Sequence, residues 1–126
     1  MAPRIAPLGI DNVFFRVADL DRAIAFYEGC GLRLKFRVDA KNMALFSIGD
    51  EGPGLVLSRD QGPQGGRLWV EVADARAVAD ALSLSGMVTR LFDTATGLTC
   101  EVTDPDGNVL GFADYCHRPE LARGAN

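Results

Sequence analysis

Apolar residues recur along this chain at the spacing of a buried helix face, and they do so in two separate stretches. In each stretch they fall at positions i, i+3, i+4 and i+7, after the tripeptide Val-Ala-Asp and before a glycine. The tripeptides begin at Val17 and Val72, 55 positions apart, and the glycines are Gly31 and Gly86. The pattern predicts two helices, each capped by an aspartate at its start and stopped by a glycine at its end.

The segments around the two helices have the residue pattern of strands, with turn residues between them. One strand precedes each helix and three follow it. The sequence therefore predicts two βαβββ modules, at residues 10–60 and 66–115. Together they are expected to form one α+β domain, in which a mixed sheet curves into a cup and the helices lie on its outer side. The segment 60–66, DQGPQGG, is interpreted as a linker, and the polar tail from His117 is expected to be loose.

Composition narrows the class of protein. The chain has 126 residues, 48% of them hydrophobic, with a net charge of −4 and a pI near 4.9. This acidic balance argues against binding to nucleic acid or to an anionic membrane. The three cysteines form no CxxC pair, and no apolar run is long enough to span a bilayer or to act as a signal peptide. We expect a soluble cytoplasmic protein without a disulfide framework.

Two motifs resemble those of a known family. The segments FRVADLDRAIAFYEGCGL at 15–32 and DPDGNVLGF at 104–112 are similar to the opening and closing motifs of the vicinal oxygen chelate superfamily. This group includes glyoxalase I, extradiol dioxygenases and bleomycin-resistance proteins. The resemblance covers about residues 10 to 114 and implies paired modules, commonly arranged across a two-fold dimer, so we expect a homodimer. Because the superfamily hosts many chemistries, the function must be argued from the site.

The resemblance also implies where a metal would bind, with one ligand on each of four strands. Carried over to this chain, the four positions are Asn12, a residue near Leu57, Arg67 and Gly111. Arginine would repel a cation, leucine and glycine have no donor side chain, and asparagine offers a weak neutral oxygen. We therefore expect neither a metal nor another cofactor.

The same positions indicate which side chains face the cup. Because side chains on a strand alternate between faces, residues that share parity with Asn12 and Arg67 should line it. The predicted ligand-binding residues are Asn12, Phe14, Leu57, Arg67, Trp69, Glu71, Glu101 and Gly111. Leu55, Arg16 and Thr99 are expected on the same face, whereas Phe15, Val17, Leu68, Val70, Val72, Cys100 and Val102 should face the helices.

The chemistry of these residues suits a small-molecule site. Trp69 and Phe14 can stack on a planar group, Glu71 or Glu101 can meet a cation, and Arg67 can meet an anion or a carbonyl. A structural interpretation stays open, because strand faces often carry Arg and Glu as cross-strand pairs and a single Trp often serves packing.

Three functions are compatible with the sequence. The first is a metal-independent binding protein, resembling the bleomycin-resistance branch, that sequesters an aromatic and partly cationic drug-like or natural-product ligand. The second is a metal-free isomerase, cyclase or hydrolase that uses Glu71 or Glu101 as a general base. The third is a metal-dependent lyase or dioxygenase, which requires ligands that the sequence does not supply.

Overall fold

The computed structural model describes residues 6, 8, 10–50 and 53–124, and it confirms the α+β class. The elements are β1 (Asn12–Arg16), α1 (Leu20–Gly29), β2 (Arg33–Val38), β3 (Met43–Ser47), β4 (Gly54–Ser58), β5 (Arg67–Glu71), α2 (Ala75–Leu84), β6 (Arg90–Asp93), β7 (Leu98–Thr103) and β8 (Val109–Ala113). They form two four-stranded sheets, ordered β1-β4-β3-β2 and β5-β8-β7-β6. In each sheet the first and last strands of the module pair in parallel, and the other pairs are antiparallel.

The two helices begin and end as the sequence predicts. The carboxylates of Asp19 and Asp74 accept hydrogen bonds from backbone amides in the first turns of α1 and α2, at 3.1 Å in both cases. Gly31 and Gly86, just beyond the helix ends, have φ values of +90° and +87°, which suit glycine because it has no Cβ. Within the described residues, neither helix is long or apolar enough to cross a membrane.

A buried polar cluster joins the two modules. Tyr27 of α1 is fully buried, and its hydroxyl donates to Asp104 Oδ2 in the second module at 2.8 Å. Burial raises the pKa of this phenol, and the bond to Asp104 raises it further. The Asn108 amide group donates to the carbonyl of Arg16 at 2.8 Å and accepts from the amide of Gly66 at 2.9 Å. The DPDGN segment is thus a turn, as predicted, that also holds the modules together.

The described part of the tail, residues 117–124, is not loose, which corrects the expectation from its polarity. It contains a short 3₁₀ turn at Pro119–Leu121. His117 Nε2 lies 2.9 Å from Asp93 Oδ1, and the backbone amide of Arg123 donates to Glu71 Oε2 at 2.8 Å. Polar composition concealed these contacts because the tail is anchored by hydrogen bonds rather than by apolar burial.

Candidate functional site

Each sheet has one face toward the helices and one face away from them. The face away from the helices is the one predicted to line the cup, and we call it the outer face. In the second sheet, Cys100 and Val102 belong to the apolar core that includes the buried helix residues. Trp69 and Glu101 are hydrogen-bonded to each other and therefore share the opposite face. The strand register adds further members to the outer face, which are Arg67, Glu71, Thr99, Arg90, Phe92 and Gly111. For the second module, the predicted alternation of faces is correct.

In the first sheet, the prediction that Leu57 lines the cup is wrong. Leu57 and Leu55 are fully buried members of the core, on the helix side of β4. The outer-face residue of this strand is Val56, which pairs with Phe14 of β1. A slip of one residue moves a side chain to the other face of a sheet. The 55-residue repeat indicates the correct residue of this strand, because the position 55 residues before Gly111 is Val56.

Trp69 lies over a strand position that has no side chain. It pairs across the sheet with Gly111, and a Cβ placed on Gly111 would lie 2.3 Å from Trp69 Cδ1. The indole Nε1 donates to Glu101 Oε2 at 2.8 Å, while 42% of the tryptophan stays exposed. The ring is therefore fixed from below and from one edge but remains open to solvent.

Glu101 is the centre of a charged cluster. Its side chain is only 6% exposed, and its two oxygens lie 3.3 Å from Arg67 Nη1 and 3.4 Å from Arg90 Nη1. The Arg90 guanidinium lies 4.5 Å from the centroid of the Phe92 ring, and that ring is 6.0 Å from the ring of Trp69. Arg90 was missed from the sequence because β6 has no clear alternation, although it pairs directly with Glu101.

The other predicted carboxylate has different partners. Glu71 accepts hydrogen bonds from the backbone amide and from the guanidinium of Arg123, in the tail. The structure thus brings Arg67, Trp69 and Glu101 together above Gly111, and it ties Glu71 to the C-terminal segment. Their roles as ligand contacts stay predictions.

The first-sheet candidates lie apart from this cluster. Asn12 Oδ1 accepts from the backbone amide of Gly54 at 3.2 Å, so the asparagine supports the local backbone. Phe14 lines a cavity of about 380 Å³ together with residues of its own module and the following loop. A separate cavity of about 530 Å³ is bounded by Arg67, Arg90 and Glu101. Trp69 lines a third cavity, of about 350 Å³, which also includes Glu71. Phe14 and Trp69 therefore line different cavities.

The four positions that bind metal in the superfamily do not fit a divalent ion here. Gly111 lies beneath the indole of Trp69, Arg67 is cationic, and the oxygen of Asn12 already accepts a hydrogen bond. Among residues 10–50 and 53–124, no three His, Cys, Asp or Glu side chains come together in a way that could hold a metal. Metal ligation needs several converging donor atoms, and of these positions only Asn12 offers one.

The two buried cysteines, Cys30 and Cys100, are not arranged for nucleophilic chemistry. Burial raises the pKa of Cys30 to about 12, and burial also raises the pKa of Cys100. Since the thiolate is the reactive form, both are inert fillers of the core near neutral pH.

Solved structures share this fold. TnmS3, an antibiotic binding protein from Streptomyces sp. CB03234, superposes with a TM-score of 0.79 at 23% identity, over 89% of this chain and 99% of that one. A lactoylglutathione lyase from Agrobacterium tumefaciens gives 0.74 at 19% identity, over 86% and 94%. A glyoxalase/bleomycin resistance protein from Streptomyces sp. CB03234 gives 0.66 at 25% identity, over 81% and 97%.

These structures include a binding protein and a lyase, so their similarity to this chain establishes its fold but not its activity. The activity must be argued from the residues of the site. No curated protein sequence matches the chain. A sequence profile decides the family. It describes the Glyoxalase/Bleomycin resistance protein/Dioxygenase superfamily and matches residues 9–112, and the chain therefore belongs to that superfamily.

Proposed function

We propose that this protein binds a planar, aromatic small molecule without a metal, and that the ligand lies against Trp69 on the outer face of the second sheet. The observation that carries the proposal is the state of the indole, which is 42% exposed yet seated on Gly111 and hydrogen-bonded to Glu101. An aromatic surface held in place before binding loses little side-chain entropy when a ligand stacks on it.

Two purely structural explanations, a packing tryptophan and a surface ion pair, account for less of the geometry. A tryptophan that served only packing would be buried, whereas much of this ring faces solvent. An ordinary cross-strand pair of Arg and Glu is exposed on both sides, whereas Glu101 is almost fully buried, accepts from Trp69 and Arg90, and forms an ion pair with Arg67. Burying a carboxylate costs free energy unless it is well paired, so this cluster is more than a solvated surface pair.

The likeness to TnmS3 supports an antibiotic or a related natural product as the ligand. The enzymatic alternative has less support. A general base needs an oxygen within reach of the substrate proton, and the carboxylates of Glu71 and Glu101 are each engaged by arginine. Sequestration requires no such group, and it fits a site built from an aromatic ring and fixed charges.

We also propose that two copies associate through the outer face of the first sheet, which leaves Trp69 accessible to the ligand. Phe36 on this face is 45% exposed, and it pairs with Leu45 of the neighbouring strand. Exposed apolar surface of this kind is a feature of interaction sites. Light scattering at micromolar concentration should give the mass of a dimer, and a stable monomer would contradict this proposal.

The ligand proposal is tested by titrating aromatic natural products into the protein and following the emission of its single tryptophan. A compound that quenches this emission is then measured by calorimetry against Trp69→Ala. Loss of the stacked ring should weaken binding by roughly tenfold or more. Leu84→Ala, at an exposed position of α2, is the control and should bind as the wild type does. Equal affinity of Trp69→Ala and wild type would refute the site.

A further inference from the structure

We infer that the ligand carries an anionic group, of the carboxylate kind, which Arg67 and Arg90 bind together. This inference rests on the proposed function and names the class of its ligand. It differs from the expectation of a partly cationic ligand, which came from the acidic balance of the whole chain. The reasons lie in how the charges of the site are already paired.

The carboxylate of Glu101 is not available to a cationic ligand. One of its oxygens accepts from Trp69 Nε1 at 2.8 Å and lies 3.3 Å from Arg67, and the other lies 3.4 Å from Arg90. With 6% of its side chain exposed, it has little surface left for an incoming group. A cation placed here would also meet two arginines, so like-charge repulsion would oppose its binding.

The two arginines, in contrast, have N–H donors to spare for a ligand. Their side chains are 58% and 69% exposed, and each contacts Glu101 through a single terminal nitrogen. Within the part of the chain that the structure describes, no other acceptor is recorded for either guanidinium. A guanidinium has five N–H donors, arranged to bind a carboxylate through two of them. One negative charge between two positive charges leaves the cluster with a net charge of +1.

The cavity beside the arginines has the size and lining for a ligand with an apolar body. Its volume is about 530 Å³, within the range of drug-binding sites, and its lining includes no charged residue besides Arg67, Arg90 and Glu101. Phe26 and Val109 contribute apolar surface to the same cavity. Trp69 is not part of this lining, but its indole is hydrogen-bonded to the Glu101 oxygen that also lies 3.3 Å from Arg67. An aromatic acid would thus place its carboxylate at the arginines and its ring beside them, within reach of the indole.

The net charge of the whole chain does not determine which ligand charge this site prefers. The formal charge is −4, but interactions between exposed charges are screened beyond about 8–10 Å at physiological salt. Direct contact with two guanidinium groups therefore decides the preference for ligand charge.

The experiment compares three naphthalene probes of one shape on the full chain, at pH 7 and low salt. They are 2-naphthoate, neutral 2-naphthamide and cationic 2-naphthylmethylammonium, and their dissociation constants are measured by calorimetry. We expect 2-naphthoate to bind roughly tenfold or more tightly than the ammonium probe. Its affinity should also fall as sodium chloride is added, whereas that of 2-naphthamide should stay constant.

Variants assign the preference to the arginines. Arg67→Gln and Arg90→Gln should each weaken 2-naphthoate by roughly fivefold or more while leaving 2-naphthamide within about twofold. Arg76→Gln, which removes the same charge from an exposed position of α2, is the matched control and should change neither probe. Thermal melting of each variant verifies that it is folded, and the salt titration of the wild type tests the inference without any variant.

The outcomes separate this inference from the proposed function. Binding of all three probes with equal affinity, or tightest binding of the ammonium probe, would overturn the anionic class and leave the aromatic site standing. Loss of 2-naphthoate binding in Arg76→Gln as large as in Arg67→Gln would overturn the role of the arginine pair. Absence of binding by every probe at millimolar concentration would count against both proposals.

Discussion

The outer faces of the two sheets come from equivalent positions of two similar modules, yet they differ in what they can bind. In the first sheet Phe14 pairs with Val56, and in the second sheet Trp69 pairs with Gly111. A valine side chain fills the space above its strand, whereas glycine leaves room for an indole ring to lie down. A single small residue therefore turns a strand pair into an aromatic platform.

The neighbouring strands enlarge the contrast. Next to Val56 the first sheet carries Leu45, which pairs with Phe36. At the matching places in the second sheet, Glu101 lies next to the glycine and pairs with Arg90. At these two positions the first face is apolar and the second is charged, although the backbone pairing is the same. Duplicated modules can acquire different binding surfaces in this way, because side chains on the outer face are not constrained by packing in the core.

Filling the space under the indole should have the largest effect. Gly111→Ala places a methyl group 2.3 Å from Trp69 Cδ1, so the ring must move and lose its bond to Glu101. We expect destabilisation on the order of 1–3 kcal/mol and loss of ligand binding by roughly tenfold or more, measured by urea denaturation and calorimetry. Gly29→Ala adds the same methyl group beside the flexible end of Met87, at 3.3 Å, and is the matched control. Wild-type binding by Gly111→Ala would show that the seating of the ring is unimportant.

Making the second face resemble the first tests the charged cluster. Glu101→Leu installs the residue type of Leu45 and removes the acceptor of Trp69 Nε1 and of Arg90 Nη1, together with the ion-pair partner of Arg67. A partly buried donor without a partner costs about 1–3 kcal/mol, so the free energy of unfolding should fall by about that amount. Glu28→Leu, on an exposed part of α1, should change stability by less than about 0.5 kcal/mol. Equal stability of the two variants would mean that the cluster contributes nothing to the fold.

The smallest effect concerns the position after the last strand, which is Arg59 in the first module and Asp114 in the second. Burial alone would raise the pKa of Asp114, but hydrogen bonds from the backbone amides of Leu98, Ala75 and Cys116 outweigh it and lower the pKa to about 2. Because the folded pKa is below the ordinary value of 3.8, the ionised form stabilises the fold above about pH 4. That contribution is lost as the pH falls from about 4 through about 2.

The variant Asp114→Asn should therefore be less stable than the wild type at pH 7, by about 1 kcal/mol. The difference should shrink as the pH is lowered toward 2, when followed by denaturation at each pH. Arg59→Gln, at the equivalent position of the first module, should show no such dependence. A gap between Asp114→Asn and wild type that stays constant from pH 7 to pH 2 would contradict the assigned pKa.

The fold followed from the sequence because its signals are local. Helix periodicity, the capping residues Asp19 and Asp74 and the DPDGN turn each act within a few residues, and the repeat indicated that there are two modules. The outer face of the second sheet was also predictable, because the core side of β5 and β7 is apolar and fixes the parity.

The rest of the site depends on contacts between distant segments. Leu57 was misplaced because β4 is apolar on both faces, so its composition does not reveal which side is buried. The link between Glu71 and Arg123 joins residues far apart in the chain and has no periodic signature. The position of Trp69 over Gly111 requires the pairing of β5 with β8, which only the assembled sheet provides.

The central claim is that the ligand lies on the Trp69 platform held by Glu101. The chain has a single tryptophan, so its indole Nε1–H gives one isolated resonance in a ¹H–¹⁵N correlation spectrum. This N–H group donates the hydrogen bond to Glu101 at 2.8 Å. When a ligand found by calorimetry is added to saturation, this resonance should shift with the same dissociation constant. A ligand that saturates the protein while the indole resonance stays in place would contradict the account.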